Sequence, residues 1–229
     1  MLEILYYIFI FPLESGMKFV LVQTYNIFNN YGISIVLMSL AVNIALLPLY
    51  YLAEHWQGKE REIRNKMQPE LDKINNAFKG EKRYYYTKAV YKRFNYHPIS
   101  SIRVSFGFLI QVPFFIAAYH FLSHYEGVAG IPFLFINDLS QPDKLLKFKN
   151  FAVNILPFVM TIINILSAYI YTKNLRKSDK IQLWLLALLF LLLLYNLSSA
   201  LVLYWTFNNI FSLIKNTLSV HVFKIKSLT

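Results

Sequence analysis

Apolar residues run through this chain in long unbroken stretches, not in the short alternations of a soluble domain. Residues 31–53, 104–124, 151–171, 181–196 and 199–214 contain no Lys, Arg, Asp or Glu. A bilayer core of about 30 Å takes about 20 helical residues, so the pattern predicts five transmembrane helices. The last two stretches hold 16 residues each. At 1.5 Å per residue each covers roughly 24 Å, which predicts a locally thinned membrane around them. Asn196, Leu197, Ser198 and Ser199 predict a tight turn between the two.

Two regions fall outside this pattern. Residues 54–103 are polar, with apolar positions at Ile63, Met67, Leu71, Ile74 and Phe78 in steps of three or four. That period predicts a helix with one greasy seam. Gly80 offers a turn into a second helix over residues 81–96, and the pair reads as an antiparallel helical hairpin. Residues 2–29 are apolar but interrupted by Pro12, Glu14, Ser15 and Gly16, and rich in Tyr and Phe. They read as one or two helices lying on the outer membrane surface; the rival is a sixth span.

Charge gives the chain a direction. The formal net charge is +11. Residues 54–103 hold twelve Lys/Arg against six Asp/Glu, residues 172–180 hold four against one, and the tail beyond the last span carries Lys215, Lys224 and Lys226. Residues 124–150 balance three basic with three acidic residues. The positive-inside rule places the first three regions in the cytoplasm and the balanced loop outside. Five spans then put the N-terminus out and the C-terminus in. The basic surface of residues 54–103 reads as a solvated face that also suits anionic lipid headgroups or ribosomal RNA. With no cysteine, disulfides and thiol catalysis are excluded. Residues 1–13 begin with Glu3 instead of a basic region, so no cleavable signal peptide is expected.

Polar side chains inside the spans are the candidate chemistry. Asn43 lies in the first stretch and Gln111 in the second. Asn154, Thr161 and Asn164 recur along the third at helical spacing, and Asn208, Asn209 and Ser212 share a sector with Trp205 in the last. An amide facing hydrocarbon without partners is costly, so these groups should face other helices or water. Singly, each reads as interhelical glue worth around 0.6 kcal/mol. Together, Asn43, Gln111, Asn154, Thr161, Asn164, Asn208 and Ser212 predict a polar-lined space among the helices. Tyr204 and Trp205 read either as contacts for a substrate or as aromatic packing. His120 and His124, four apart, could share a helix face, but a zinc site needs further ligands and no metal is expected. No P-loop, dinucleotide fingerprint or nucleophile elbow is present, and an enzyme is not expected.

Five stretches in order resemble the YidC family of membrane protein insertases, which includes the Oxa and Alb proteins. They are "LAVNIALLPL", "MQPELDKIN", "YHPISSIRVSFGFLIQVPFFIAAYHFLS", "PFLFINDLSQPD" and "ALVLYWTFNNIFSLIKN". The resemblance implies an all-α polytopic protein of a bacterial plasma membrane, with five helices around a hydrophilic groove open to the cytoplasm and to lipid. It divides the chain into an interfacial segment (1–30), a core (31–53 and 104–216), a cytoplasmic hairpin (54–103) and a basic tail (217–229). It implies nascent membrane proteins as substrates, with the ribosome, a Sec channel and anionic lipids as further partners, and neither DNA nor a cofactor. It also implies that a substrate's hydrophobic helix slides along the third and fifth spans, which makes Tyr204 and Trp205 the slide contacts. Family members typically carry an arginine five residues before the proline of the first span. Here that position is Asn43, before Pro48, which offers hydrogen bonds but no charge. Two rivals remain: a scaffold subunit that keeps the insertase fold, and a small-solute transporter, for which inverted repeats and intramembrane carboxylates are missing.

Overall fold

The computed structural model describes residues 2–97, 110–149, 151–171 and 177–226. They form the helices α1 (Leu2–Leu5), α2 (Phe11–Phe28), α3 (Tyr31–Ala77), α4 (Gly80–Arg93), α5 (Gln111–His124), α6 (Leu156–Tyr171), α7 (Lys177–Leu194) and α8 (Ser199–Lys226), with a two-stranded ribbon, β1 (Leu146–Lys147) and β2 (Ala152–Val153), before α6. Two compact units emerge, Met1–Ala45 with Phe115–Thr229, and Leu46–Phe114.

The N-terminal breakers do not break the helix. A π-turn, Tyr6–Ile10, joins α1 directly to α2, and Pro12 falls in the first turn of α2, where its missing N–H has no intrahelical partner to lose. Glu14 accepts a hydrogen bond from the Tyr6 hydroxyl at 2.6 Å and pairs with His120 at 2.5 Å. The helix ends at Asn29, which is left-handed at φ 48° and returns its N–H to Tyr25 at 2.7 Å. The next residue, Asn30, accepts from the Ile33 N–H and starts α3.

In the first unit, α8 is the central element. Ala200, Leu201, Val202, Leu203, Tyr204 and Trp205 are all buried, and six consecutive buried residues mean that this stretch is enclosed on every side. α6 packs along it. The outward faces of α6 and α7 are the reverse. Phe158, Ile162, Leu166 and Tyr169 on α6, and Trp184, Leu185, Leu188, Leu189, Leu192 and Leu193 on α7, are exposed. Apolar surface of that extent is the mark of a helix facing lipid. By length and composition α3 alone among the described helices passes for a full span, with shorter apolar helices at Leu156–Ser167 and Trp184–Leu194.

The third apolar stretch starts its helix later than expected, at Leu156. Residues 151–155 belong instead to the ribbon and its exit, because Pro157 sits in the first turn and the preceding backbone N–H groups are taken elsewhere. Ile155 and Leu156 both donate to the buried Asp143 carboxylate. The same connection also caps α8: Ser199 donates from its N–H and its hydroxyl to the Gln141 carbonyl, and the Ala200 N–H donates to Leu139. At the other end, α8 runs past residue 214 to Lys226.

Asp138 orders the first half of that connection by accepting from the Gly130 N–H and from both the N–H and hydroxyl of Ser140. Burial raises its pKa, but these donors outweigh it and leave the carboxyl below its ordinary value. A carboxyl depressed in the folded state stabilises above its unfolded pKa of about 3.9 and loses that contribution as pH falls through the lower folded value. The connection should therefore stay ordered from neutral pH to about pH 5 and loosen below about pH 4. Amide protection at Gly130 and Ser140, taken relative to the intrinsic exchange rate at each pH, checks it; protection that rises as the pH falls below about 4 would refute it.

In the second unit α3 continues unbroken past both Pro48 and Pro69, although each proline removes a backbone bond and costs on the order of 3 kcal/mol in a helix interior. Pro69 therefore does not act as the breaker its type suggests. Met67 and Leu71 on α3 and Val90 on α4 form a small core, with Ile74, Tyr91, Phe94 and Tyr96 packed on it. Arg93 pairs with Glu70 across the two helices, and Phe78 stacks on Tyr86.

Candidate functional site

The first unit buries two amides against each other. Asn43 projects from α3 and Asn208 from α8; they are 7% and 8% exposed. The Asn43 side-chain N–H donates to the Asn208 carbonyl and, at 2.9 Å, to the backbone carbonyl of Ser39 one turn earlier. An amide in an apolar bundle needs such partners, and this pair ties α3 to α8 at one level.

The same level holds polar groups whose hydrogen bonds are unmade. Ser39 Oγ, Trp205 Nε1 and Asn209 Nδ2 are buried and have no hydrogen-bond partner among the described residues. Ser39 stands one turn from Asn43 on α3, while Trp205 and Asn209 lie within a turn of Asn208 on α8. Such orphans are rare in folded proteins and each calls for an explanation. Here the clustered orphans are mostly donors without formal charge, so the centre suits acceptors such as peptide carbonyls.

An aromatic wall backs this centre. The Trp205 indole stacks on Phe190 of α7 at 5.4 Å, with the rings 16° from parallel, and meets Phe115 of α5 edge-on at 4.8 Å. Phe115 also meets Phe190 edge-on. The three rings fasten α5, α7 and α8 together.

The other expected site residues fall into different settings. Thr161 is buried and returns its hydroxyl to the Pro157 carbonyl on its own helix. Asn164 and Ser212 are half-buried. Gln111 belongs to the second unit, where its amide donates to the Tyr50 hydroxyl at 2.6 Å. Asn154 lies before α6, not on its polar stripe. Its amide donates to the Tyr195 carbonyl at 2.7 Å and accepts from the Lys144 N–H at 3.0 Å, so it fastens the connection. Tyr204 and Trp205 are enclosed, at 0% and 4% exposure, and the exposed apolar rows of this unit lie instead on α6 and α7. Ser39, Phe115 and Phe190 were not singled out from the sequence. Ser39 was findable from its position four residues before Asn43; nothing local marks the two phenylalanines. The His120 and His124 rings lie 4.9 Å apart, tilted by 44°, and among the described residues no three His, Asp or Glu side chains gather as metal ligands.

The profile of the family described as "60Kd inner membrane protein" matches residues 23–226. The chain belongs to this family. Among relatives of the 60Kd inner membrane protein family, the membrane protein insertase YidC of Treponema denticola is 29% identical over 223 residues, covering 90% of this chain and 37% of that protein. The insertase YidC of Leptospira interrogans is 26% identical over 227 residues, covering 93% and 35%. The chain thus spans little more than a third of the length of these relatives. A crystal structure titled as an active YidC insertase with the first transmembrane domain resolved matches with a TM-score of 0.57 at 24% identity, over 89% of this chain and 45% of that one. That likeness establishes a shared, mostly helical fold.

Proposed function

We propose that the chain is a membrane protein insertase or chaperone that helps hydrophobic segments enter and fold in the lipid bilayer. Its core is five spans, with the N-terminus outside and the C-terminus in the cytoplasm of a bacterial plasma membrane, and a cytoplasmic helical hairpin is proposed for residues 54–103, of which 98–103 lie outside the described residues. The observation that carries the proposal is the buried Asn43–Asn208 pair with unmade hydrogen bonds at Ser39, Trp205 and Asn209, inside a body whose α6 and α7 present bare apolar faces. A polar interior beside a lipid-facing wall lets a hydrophilic tail and a hydrophobic helix separate into different surroundings. The caps that the α5–α6 connection places on α6 and α8 support a groove closed on the outer side. Asn164, Thr161 and Ser212 complete the groove lining, nascent membrane proteins are the substrates, and the α6 row from Phe158 to Tyr169 is the slide. The names of the relatives point the same way.

Site-specific photocrosslinking tests this. Probes at Asn208 and Asn209 should capture the translocated tail of a nascent single-span substrate, and a probe at Ile162 its hydrophobic helix. Adducts from exposed α7 positions alone, or from none, would count against the groove.

Asn43 also makes a quantitative prediction. A guanidinium about 12 Å from a carboxylate, at an effective dielectric of about 20, attracts it by about 1.4 kcal/mol, which is a tenfold preference. Asn43→Arg should therefore raise insertion of a substrate with an acidic tail about tenfold relative to one with a neutral tail. The unaltered chain should treat the two tails alike. Proteoliposome insertion assays with the paired substrates measure the ratio, and a wild-type preference for acidic tails would contradict the expectation.

A further inference from the structure

The ribbon before α6 carries an exposed surface to which the proposed function assigns no role. Leu146 pairs with Val153 and Lys147 with Ala152, and the Phe148 N–H closes the turn on the Phe151 carbonyl at 2.8 Å. The Phe148 and Phe151 rings stack at 4.7 Å and stand 54% and 61% exposed, with Leu146 exposed beside them. Lys144, Lys147 and Lys149 are exposed on the same short segment, and residues 144–153 contain no acidic residue. Two stacked phenylalanines held in water on a two-stranded ribbon would be a poor arrangement, since such ribbons are marginal by themselves.

This ribbon is held firmly at its base. Lys144 is left-handed at φ 43°, its N–H bonded to the Asn154 carbonyl oxygen, and Asn154 is in turn bonded to the Tyr195 carbonyl beyond α7. Asp143 is locked to the first N–H groups of α6. The tip is therefore presented at a set place, at the start of the helix whose exposed face continues in Phe158, Val159 and Ile162. Where that apolar face begins, headgroups must lie.

We infer that this ribbon is an interfacial anchor docked into the lipid surface. Phe148, Phe151 and Leu146 enter the boundary between headgroups and acyl chains, and Lys144, Lys147 and Lys149 meet the phosphates of anionic phospholipids. Lipid is the occupant the surface fits. The apolar tip is continuous with the lipid-facing wall of α6, and three cations with no acid complement an anionic headgroup layer. The anchor sets the depth of the α6 start, and α6, about 24 Å long, is shorter than the usual hydrocarbon core, so headgroups are drawn toward it. The inference rests on the membrane setting of the family and not on insertase activity.

The cysteine-free chain permits a direct test. Single nitroxide labels are placed at Phe148→Cys, at Phe151→Cys and, as an exposed reference on the same connection, at Gln141→Cys. The full chain is reconstituted in vesicles of phosphatidylcholine with phosphatidylglycerol, and in phosphatidylcholine alone. Collisions with oxygen and with a water-soluble nickel chelate report depth. The ratio of oxygen to nickel collisions at positions 148 and 151 should exceed that at 141 by about tenfold in the mixed vesicles. It should fall in phosphatidylcholine alone, and with Lys144, Lys147 and Lys149 all changed to Glu. Labels at 148 and 151 as open to nickel as the reference would overturn the inference. So would labels shielded from both reagents in either vesicle, which is the signature of a second copy or another protein covering the tip.

Discussion

Replacing Trp205 with alanine is expected to destabilise the first unit by about 3 kcal/mol or more, the largest single effect predicted for this chain. The indole is 4% exposed and fills the space between Phe190, stacked at 5.4 Å, and Phe115, edge-on at 4.8 Å. Lipid gives helices no hydrophobic drive to associate, so their contact depends on dispersion between close-packed side chains, and a void forfeits it outright. Three helices meet at this ring, so the loss is shared by α5, α7 and α8. Trp205→Phe keeps most of the contact and should cost less than half as much. It also deletes Nε1, which is buried without a hydrogen-bond partner among the described residues, so its effect on function separates from its effect on stability. If Nε1 serves the groove, Trp205→Phe will lower insertion by more than its smaller drop in melting temperature in detergent accounts for. A Trp205→Ala variant that melts with the wild type would show that the three-ring cluster bears no load.

The second large effect is expected at Asp143. This residue is 5% exposed, and its two carboxylate oxygens accept the N–H groups of Ile155 and Leu156. Asp143→Ala leaves the Leu156 N–H buried and the Ile155 N–H half-buried without acceptors; a buried orphan costs on the order of 1–3 kcal/mol, and the half-exposed one costs less because water can reach it. A total of about 2–4 kcal/mol follows, concentrated in the first turn of α6 and the base of the ribbon. Asp143→Asn keeps one acceptor oxygen and should fall between. Hydrogen exchange at residues 155–160 reads the result directly. Exchange in Asp143→Ala should speed up there and stay unchanged in α2, and a uniform change across the unit would mean that the side chain does not act as a cap.

These two residues show where sequence reasoning stops. Trp205 was legible as a candidate, because it shares a helix sector with Asn208 and Asn209, but whether it faces a substrate or a packed interior is not a local property. Its neighbours Phe115 and Phe190 come from distant helices, and their positions in apolar runs look like any others. Asp143 sits in a loop of balanced charge and carries no signal in spacing or composition. Its role follows from a turn that brings it back onto residues twelve and thirteen positions away. Asn154 misleads for the same reason: it falls at helical spacing from Thr161, yet the helix has not begun there.

The N-terminal segment and α3 make the complementary point. Pro12, Pro48 and Pro69 carry local penalties against helix, and the chain remains helical at all three. A first-turn position removes the penalty for Pro12. At Pro69 the helix is carried by the Met67, Leu71 and Val90 core on either side, an example of packing outweighing propensity.

The sequence by itself determined that this chain is a helical membrane protein of an insertase-like family, and that amides at Asn43 and Asn208 are out of place in hydrocarbon. Hydropathy and helical period are properties of neighbouring residues, so they can be read along the chain. Only the tertiary structure decided that these two amides, 165 residues apart, satisfy each other, that Tyr204 and Trp205 lie inside and not on the surface, and that the residues before α6 form a cationic, aromatic ribbon. Contacts between distant segments are set by how whole helices pack, and no local pattern encodes which of several polar groups will meet.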